Sequence, residues 1–423
     1  MRKLEEEFAD TLVVIGVHSG KYHAERITER IRHASIRLGV EHAVVNDRQF
    51  RVWRSYAVSA WPTLVAIDQS GYVVGAHAGE FTSEMLVPII SSLASAADAK
   101  GALKRAVVSA TPDEPGRPSA RLRYPGKVIV SENRMAIADS GHNQVLIGTL
   151  SADGLEMTVQ HVAGTGQRGF ADGDSASFNY PQGLAFGDEL LYVADAENHS
   201  IRAVDLRTGT VSTIAGTGNQ LRTMADSDAG ALSSPWDLEL KDRVLYIAMA
   251  GVHQIWALDL GTHQLTIHAG TGGEDIRDGP SLGALLAQPM GLTSLGDRLY
   301  FADSESNAIR WTHVTPGGET GTVVGTGLFD FGNVDGTGDE VRLQHAQGIA
   351  SYRDGRLLVA DSYNDVLKWV NPNDRSSMRW VDGLNEPGGV TCGDKYAYAA
   401  DTNAHRVVAI DYDSGEIREL TLR

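Results

Sequence analysis

The stretch LYVADAENHSIRAVDL, from Leu191 to Leu206, decides how the chain must be read. It returns fifty-four residues later as LYIAMAGVHQIWALDL (Leu245 to Leu260), and after another fifty-four as LYFADSESNAIRWTHV (Leu299 to Val314). Three looser copies complete the set: MAIADSGHNQVLIGTL from Met135, LLVADSYNDVLKWVNP from Leu357 and AYAADTNAHRVVAIDY from Ala397. Their starts lie 56, 54, 54, 58 and 40 residues apart, and periods of this size belong to repeat architectures.

Each phrase reads as a strand, a tight turn and a second strand, with β-formers at both ends and Asp, Asn, Ser or Gly between. Ahead of each stands a Pro-x-Gly-like opening to another strand: Pro125-Gly126, Pro181-Gln182-Gly183, Pro235-Trp236-Asp237, Pro289-Met290-Gly291, Ala346-Gln347-Gly348 and Pro387-Gly388-Gly389. A fourth β-rich run follows, such as VSTIAGTG from Val211. Four strands per unit and six units predict an all-β six-bladed propeller over residues 122–423, a ring that leaves only short, protected edges.

PQGLAF followed by LYVADAENHSIRAVDL resembles the NHL repeat, whose name-giving residues are echoed in Asn198-His199. The resemblance implies the propeller fold and leaves the activity open, because such folds host many functions.

The fifth position of the phrase is Asp139, Asp195, Asp303, Asp361 and Asp401, with Met249 breaking the series. An Asp that ends a strand accepts the next backbone N–H groups and fixes a tight corner, so these residues are read as structural. The ninth position is Asn143, His199, His253, Asn307, Asp365 and His405. Three histidines in register suggest a metal ring, but they start the third strands, away from the axis, whereas zinc ligands must converge at about 2 Å. The first strands, expected to line the axis, offer Leu184, Ala185, Leu238, Leu292, Ile349 and Val390, with Asp237 and Glu239 as the polar exceptions. No metal and no cofactor are expected.

Four links between units are long and alike, among them AGTGQRGFADGDSASFNY and AGTGGEDIRDGPSLGALLAQ. They carry Asp172, Asp174, Asp226, Asp228, Asp278, Asp335 and Asp339 on one face of the disc. These carboxylates either buttress the following blade or form an acidic docking face for a basic protein partner. GTG in these links is no nucleotide motif, since no Walker lysine follows.

The first hundred residues change period. TLVVIGVHS is a strand and AERITERIRHASIRLG has helical spacing; HAVVND, RVWRSYAV, PTLVAIDQSGYVVGAHAGE and SEMLVPIISSLASAA complete an order β-α-β-α-β-β-α. Val58-Ser59-Ala60-Trp61-Pro62-Thr63 before a strand looks like the cis-proline segment of a thioredoxin-like domain, which makes Trp61, Pro62 and Thr63 the candidate peptide-binding residues. With GVHSGKY and VVND, the whole chain is similar to NHL-repeat proteins that carry an N-terminal thioredoxin-like domain. In that family a central strand and a Cys-x-x-Cys-like turn precede the helix that LEEEFAD resembles; here Met1 stands after that point, which suggests a reading frame that starts upstream or a truncated remnant. The domains are accordingly 1–97, thioredoxin-like and lacking its first strand and CxxC turn; 98–121, a linker; and 122–423, the propeller. LKRAVVS, just before TPDEPGRPSA, is a candidate extra strand for the last blade.

Composition narrows the function. Of 423 residues one is cysteine, Cys392, so the chain builds no internal disulfide and no redox pair. The formal charge is −17; residues 1–100 hold 11 basic and 12 acidic side chains, which leaves −16 beyond them and argues against nucleic acid or anionic membrane as partner. No run of eighteen apolar residues or apolar leader appears, and a cytoplasmic protein is expected. The reading is a non-catalytic interaction protein acting on protein partners. The alternative is a thiol–disulfide oxidoreductase whose catalytic residues lie upstream, and a propeller hydrolase or lyase ranks below both.

Overall fold

A computed structural model describes residues 1–79, 81–108, 121–222 and 230–423, in two units, Met1–Gly116 and Arg117–Arg423. The second is a six-bladed β-propeller. Blade two shows the plan: Pro181–Phe186, Leu190–Asp195, Ser200–Asp205 and Val211–Gly216 pair in sequence order as an antiparallel sheet. The alternation that makes each strand also gives each sheet two apolar faces, and these meet the faces of the adjoining blades. Six buried clusters result, one per seam; Val145, Leu184 and Val193 meet between blades one and two, for example, and Val128, Ile137 and Tyr398 between six and one.

Several outer edges are covered as well. The link before blade four adds Gly279–Pro280 to the fourth strand Glu319–Val324, and the link before blade five adds Gly336–Thr337 to Ser376–Val381. The link before blade two makes a single bridge, Gly173 to Val211. These short additions satisfy N–H and C=O groups that an open edge strand would present to other chains. The end of the chain serves two blades: Ile417–Glu419 finishes blade six, whereas Thr421–Leu422 runs parallel to the outer strand of blade one, Glu156–Ala163. The ring is therefore fastened by strand pairing across its last seam. Leu103–Val108 forms no strand, contrary to the expectation for LKRAVVS; the Ala106 amide donates to the Asp10 carbonyl.

The first unit follows the expected order. Helix Arg2–Glu7 leads, and strands Ile15–His18 and Ala43–Asn46, joined through helix Thr28–Arg37, pair in parallel. After the short helix Arg51–Ser55, strands Thr63–Ile67 and Val73–Ala78 pair antiparallel, and helix Ser83–Ala99 follows. The two pairs are separate two-stranded sheets, and Ile15, Val17, Val45, Val73 and Val74 are exposed on them. Among the described residues no helix is long and apolar enough to cross a membrane.

Candidate functional site

The turn aspartates are buried hubs. Each accepts a backbone N–H from the link leading into its own blade: Arg123 to Asp139, Asn179 to Asp195, Ala287 to Asp303, Gln344 to Asp361 and Asn385 to Asp401, at 2.6–2.8 Å. In blade three the Met249 sulfur takes the corresponding Ser233 N–H at 3.4 Å. Three hubs also hold a buried cation seven residues on. Arg202 Nη1 lies 2.8 Å from Asp195, Arg310 Nη1 2.9 Å from Asp303, and Lys368 Nζ 3.5 Å from Asp361.

The same three cations account for three of the link carboxylates. Asp172 accepts from Arg202, Asp278 from Arg310, and Asp335 lies 3.2 Å from Lys368. Each also accepts from the blade's fourth strand, at Thr213, Thr322 and Arg379 N respectively. One buried cation thus pins the link to its blade between an inner and an outer carboxylate. Burial alone raises Asp172, but its hydrogen bonds with Thr213 and Arg202 and the Arg202 charge bring it below the ordinary carboxylate range. Asp174 accepts from Thr210 Oγ1, and Asp339 pairs with Arg375 at the surface. Asp226 and Asp228 lie outside the described residues. The cations are the residues that the sequence reading missed; the signal was Asp followed by Arg or Lys at the seventh place in copies two, four and five.

The ninth-position residues do not begin the third strands. They cap the short helical turn before them in left-handed backbone, φ 47–59°, a conformation in which Asn, Asp and His are enriched. From there each side chain accepts the N–H of the residue preceding the next blade's opening triplet. Tyr180 N donates to Asn143, Ser234 N to His199, Gln288 N to His253, His345 N to Asn307, Glu386 N to Asp365, and Tyr124 N to His405 across the closing seam, at 2.8–3.2 Å. The three in-register histidines are latches between blades. Among the described residues no group of three or more His, Cys, Asp or Glu side chains is placed to hold a metal.

At the axis the first-strand expectation needs correction. Leu184, Leu238, Leu292, Ile349 and Val390 lie in the clusters between blades, because alternation along a strand sends them sideways. The third residue of each opening triplet faces inward: Lys127, Gly183, Asp237, Gly291, Gly348 and Gly389. A Cβ on any of these four glycines would come within 3.0 Å of a neighbouring blade's atoms, so the strands converge to a collar that only glycine fits. Lys127 of blade one crosses to Asp237 of blade three, Nζ to Oδ2 2.5 Å, both buried. Asp237 also accepts from Leu292 N of blade four, and Glu239 accepts from Ser294 N and Oγ. Burial raises both carboxyls against the opposing pull of Lys127 and these hydrogen bonds.

In the first unit the Trp61–Pro62 peptide bond is cis. Trp61 is half exposed; its Nε1 donates to Ser19 O at 2.9 Å, and its ring lies 4.5 Å from that of Trp53 and 6.4 Å from that of Phe50. Asp47 accepts from Ser19 Oγ and from the N–H groups of Arg51, Val52 and Trp53. Burial would raise its carboxyl, but those four bonds outweigh it and hold Asp47 below the ordinary range. The Thr63 hydroxyl donates back to Ala60 O. The surface is aromatic and preorganised, with no thiol among its residues.

A family model described as NHL repeat matches residues 178–203. Over 472 residues the chain is 34% identical to NHL repeat-containing protein 2 of Gallus gallus, covering 98% of this chain and 64% of that protein. It is 33% identical to the Homo sapiens protein of the same name, covering 100% of this chain and 65% of that one. It is also 33% identical to the Arabidopsis thaliana protein SUPPRESSOR OF QUENCHING 1, chloroplastic, covering 99% of this chain and 43% of that protein. The chain spans less than two thirds of the length of these relatives. Together the matches support the NHL repeat family and the six-bladed propeller.

Proposed function

We propose that this chain is a non-catalytic interaction protein in which an NHL propeller platform is joined to a redox-inactive thioredoxin-like module. Its partners are proteins with basic segments, met by the carboxylates of the link face, and an extended peptide is held at Trp61, Pro62 and Thr63. Nucleic acid and anionic membranes are disfavoured by the −17 charge, and the location in this reading is cytoplasmic.

The observation that carries the non-catalytic reading is the state of the one thiol. Cys392 lies in the first strand of blade six, where burial pushes it up to about 12 despite a hydrogen bond with Tyr412. Thiol–disulfide exchange needs an attacking thiolate and, for turnover, a resolving partner. At neutral pH such a thiol supplies neither.

A second reading is favoured by the exposed aromatic group around the cis bond and by the open two-stranded sheets: thiol–disulfide exchange in a longer protein whose cysteines come from outside this chain. An insulin-reduction assay on this chain and on its Cys392→Ser variant tests the first reading. No reduction by either is expected. Reduction by the unaltered chain that disappears with Cys392→Ser overturns it.

A further inference from the structure

Blade three has an imidazole latch on both of its seams, whereas the third imidazole latch, His405 with Tyr124 N, serves the closing seam alone. At the seams of blade three with blades two and four, Ser234 N donates to His199 Nδ1 at 3.0 Å, and Gln288 N to His253 Nδ1 at 3.1 Å. The seams around Tyr180 and His345 close on the amide oxygens of Asn143 and Asn307. A backbone N–H that donates to Nδ1 requires a neutral ring with its proton on Nε2. Protonation at Nδ1 turns that acceptor into a donor facing a donor, and the bond is lost; an amide oxygen undergoes no such change over the same pH range.

Blade three also lacks the other fastening. Met249 and Trp256 stand where blades two, four and five carry the buried Asp and cation, so no ion pair of that kind holds its turn. Both of its borders therefore depend on an imidazole nitrogen that accepts only while it carries no proton. We propose that blade three is an acid-releasable segment of the ring, opened at both seams by protonation of His199 and His253 while the asparagine seams stay closed.

The neighbouring charges set the direction. Burial, and then Arg222 from the link on the same seam, favour neutral His199 and hold it down at about 4. A histidine with a depressed value in the closed ring stabilises that ring above its ordinary 6.5, and the contribution drains away as pH falls from 6.5 toward 4. The carboxyls nearby act in the opposite sense. Asp195, pushed up to about 6 by burial against Asn179, Asn198 and Arg202, and Asp237 and Glu239, raised by burial, take up protons in the closed ring and favour closure as pH falls. At His253 the ring Nδ1 accepts from Gln288 N.

Hydrogen exchange of the full chain at about pH 7.5 and about pH 5, corrected for intrinsic rates, reads each seam separately. Opening at Ser234 is expected to rise at the lower pH, by at most the roughly thirtyfold of a latch that titrates near 4 closed and near 6.5 open, less what the Asp195 carboxyl offsets. Gln288 should open with it, and Tyr180 and His345 should show no comparable rise. His199→Asn with His253→Asn places at both seams the residue already used at positions 143 and 307, and should abolish the acid response at Ser234 and Gln288. An equal rise at the asparagine seams of the unaltered chain overturns the proposal without any variant, and a response that persists in the double variant does the same.

Discussion

Blades two and three solve one problem with different chemistry. In both, the second and third strands pair over six residues in the same register, Leu190 with Asp205 through Asp195 with Ser200 in one and Val244 with Asp259 through Met249 with Gln254 in the other. Both turns end in a left-handed histidine. Yet blade two buries Asp195 against Arg202, whereas blade three buries Met249 beside Trp256, whose Nε1 donates to Gln254. The backbone is indifferent to the exchange. What the ions add is reach: Arg202 extends to Asp172 and fastens the link, and Trp256 has no such arm.

The comparison breaks most sharply if one partner of a triad is removed alone. Arg310→Met in blade four leaves Asp303 buried without its cation, and is expected to cost about 3–5 kcal/mol in urea unfolding. Asp303→Met combined with Arg310→Trp recreates the blade-three pair and should recover most of that loss. Equal losses for the single and double variants would mean that blade three tolerates its apolar pair for reasons special to its own seams.

The reverse transplant has a smaller effect. Met249→Asp puts a lone carboxylate into a site with no cation seven residues on, at a cost of about 2–3 kcal/mol near neutral pH. Its folded value should lie above the ordinary one, so the penalty grows as pH rises through it and shrinks in acid. A penalty that does not vary with pH would show that the new carboxyl had found a charged partner.

The smallest effect sharpens the distinction between the link carboxylates. Asp339→Ala removes only an exposed pair with Arg375 and should shift stability by less than about 0.5 kcal/mol. Asp278→Ala, which takes a partner from buried Arg310, should cost on the order of 1 kcal/mol and speed proteolysis within 270–288. Matching behaviour of the two variants would remove the case for a pinned link.

Much of this was legible before any coordinates. The period and the strand–turn–strand phrase give six blades, and the alternation gives the buried strands. The turn aspartates stood out as a column, but their expected partners, the next N–H groups of the turn, give way to N–H groups sixteen or seventeen residues earlier in the chain. Arg202, Arg310 and Lys368 were harder, since a cation inside a β-run reads as solvent-facing until its two carboxylates, seven residues before and about thirty before, are brought together by the fold. The histidine latches were hidden for a related reason: their partners are backbone N–H groups of the next repeat, which no side-chain pattern marks. Lys127 and Asp237 stood in the open as the two exceptions to a glycine column, yet only ring closure shows that residues 110 apart face each other.

The pairing of Thr421–Leu422 with Glu156–Met157 has a consequence on the ribosome. Blade one emerges first, but its outer strand waits for a partner synthesised about 260 residues later, which at ordinary elongation rates means tens of seconds. Through that interval the nascent chain is an open arc with an uncovered β-edge at its leading end, a natural substrate for chaperones and a point at which two unfinished chains could exchange strands.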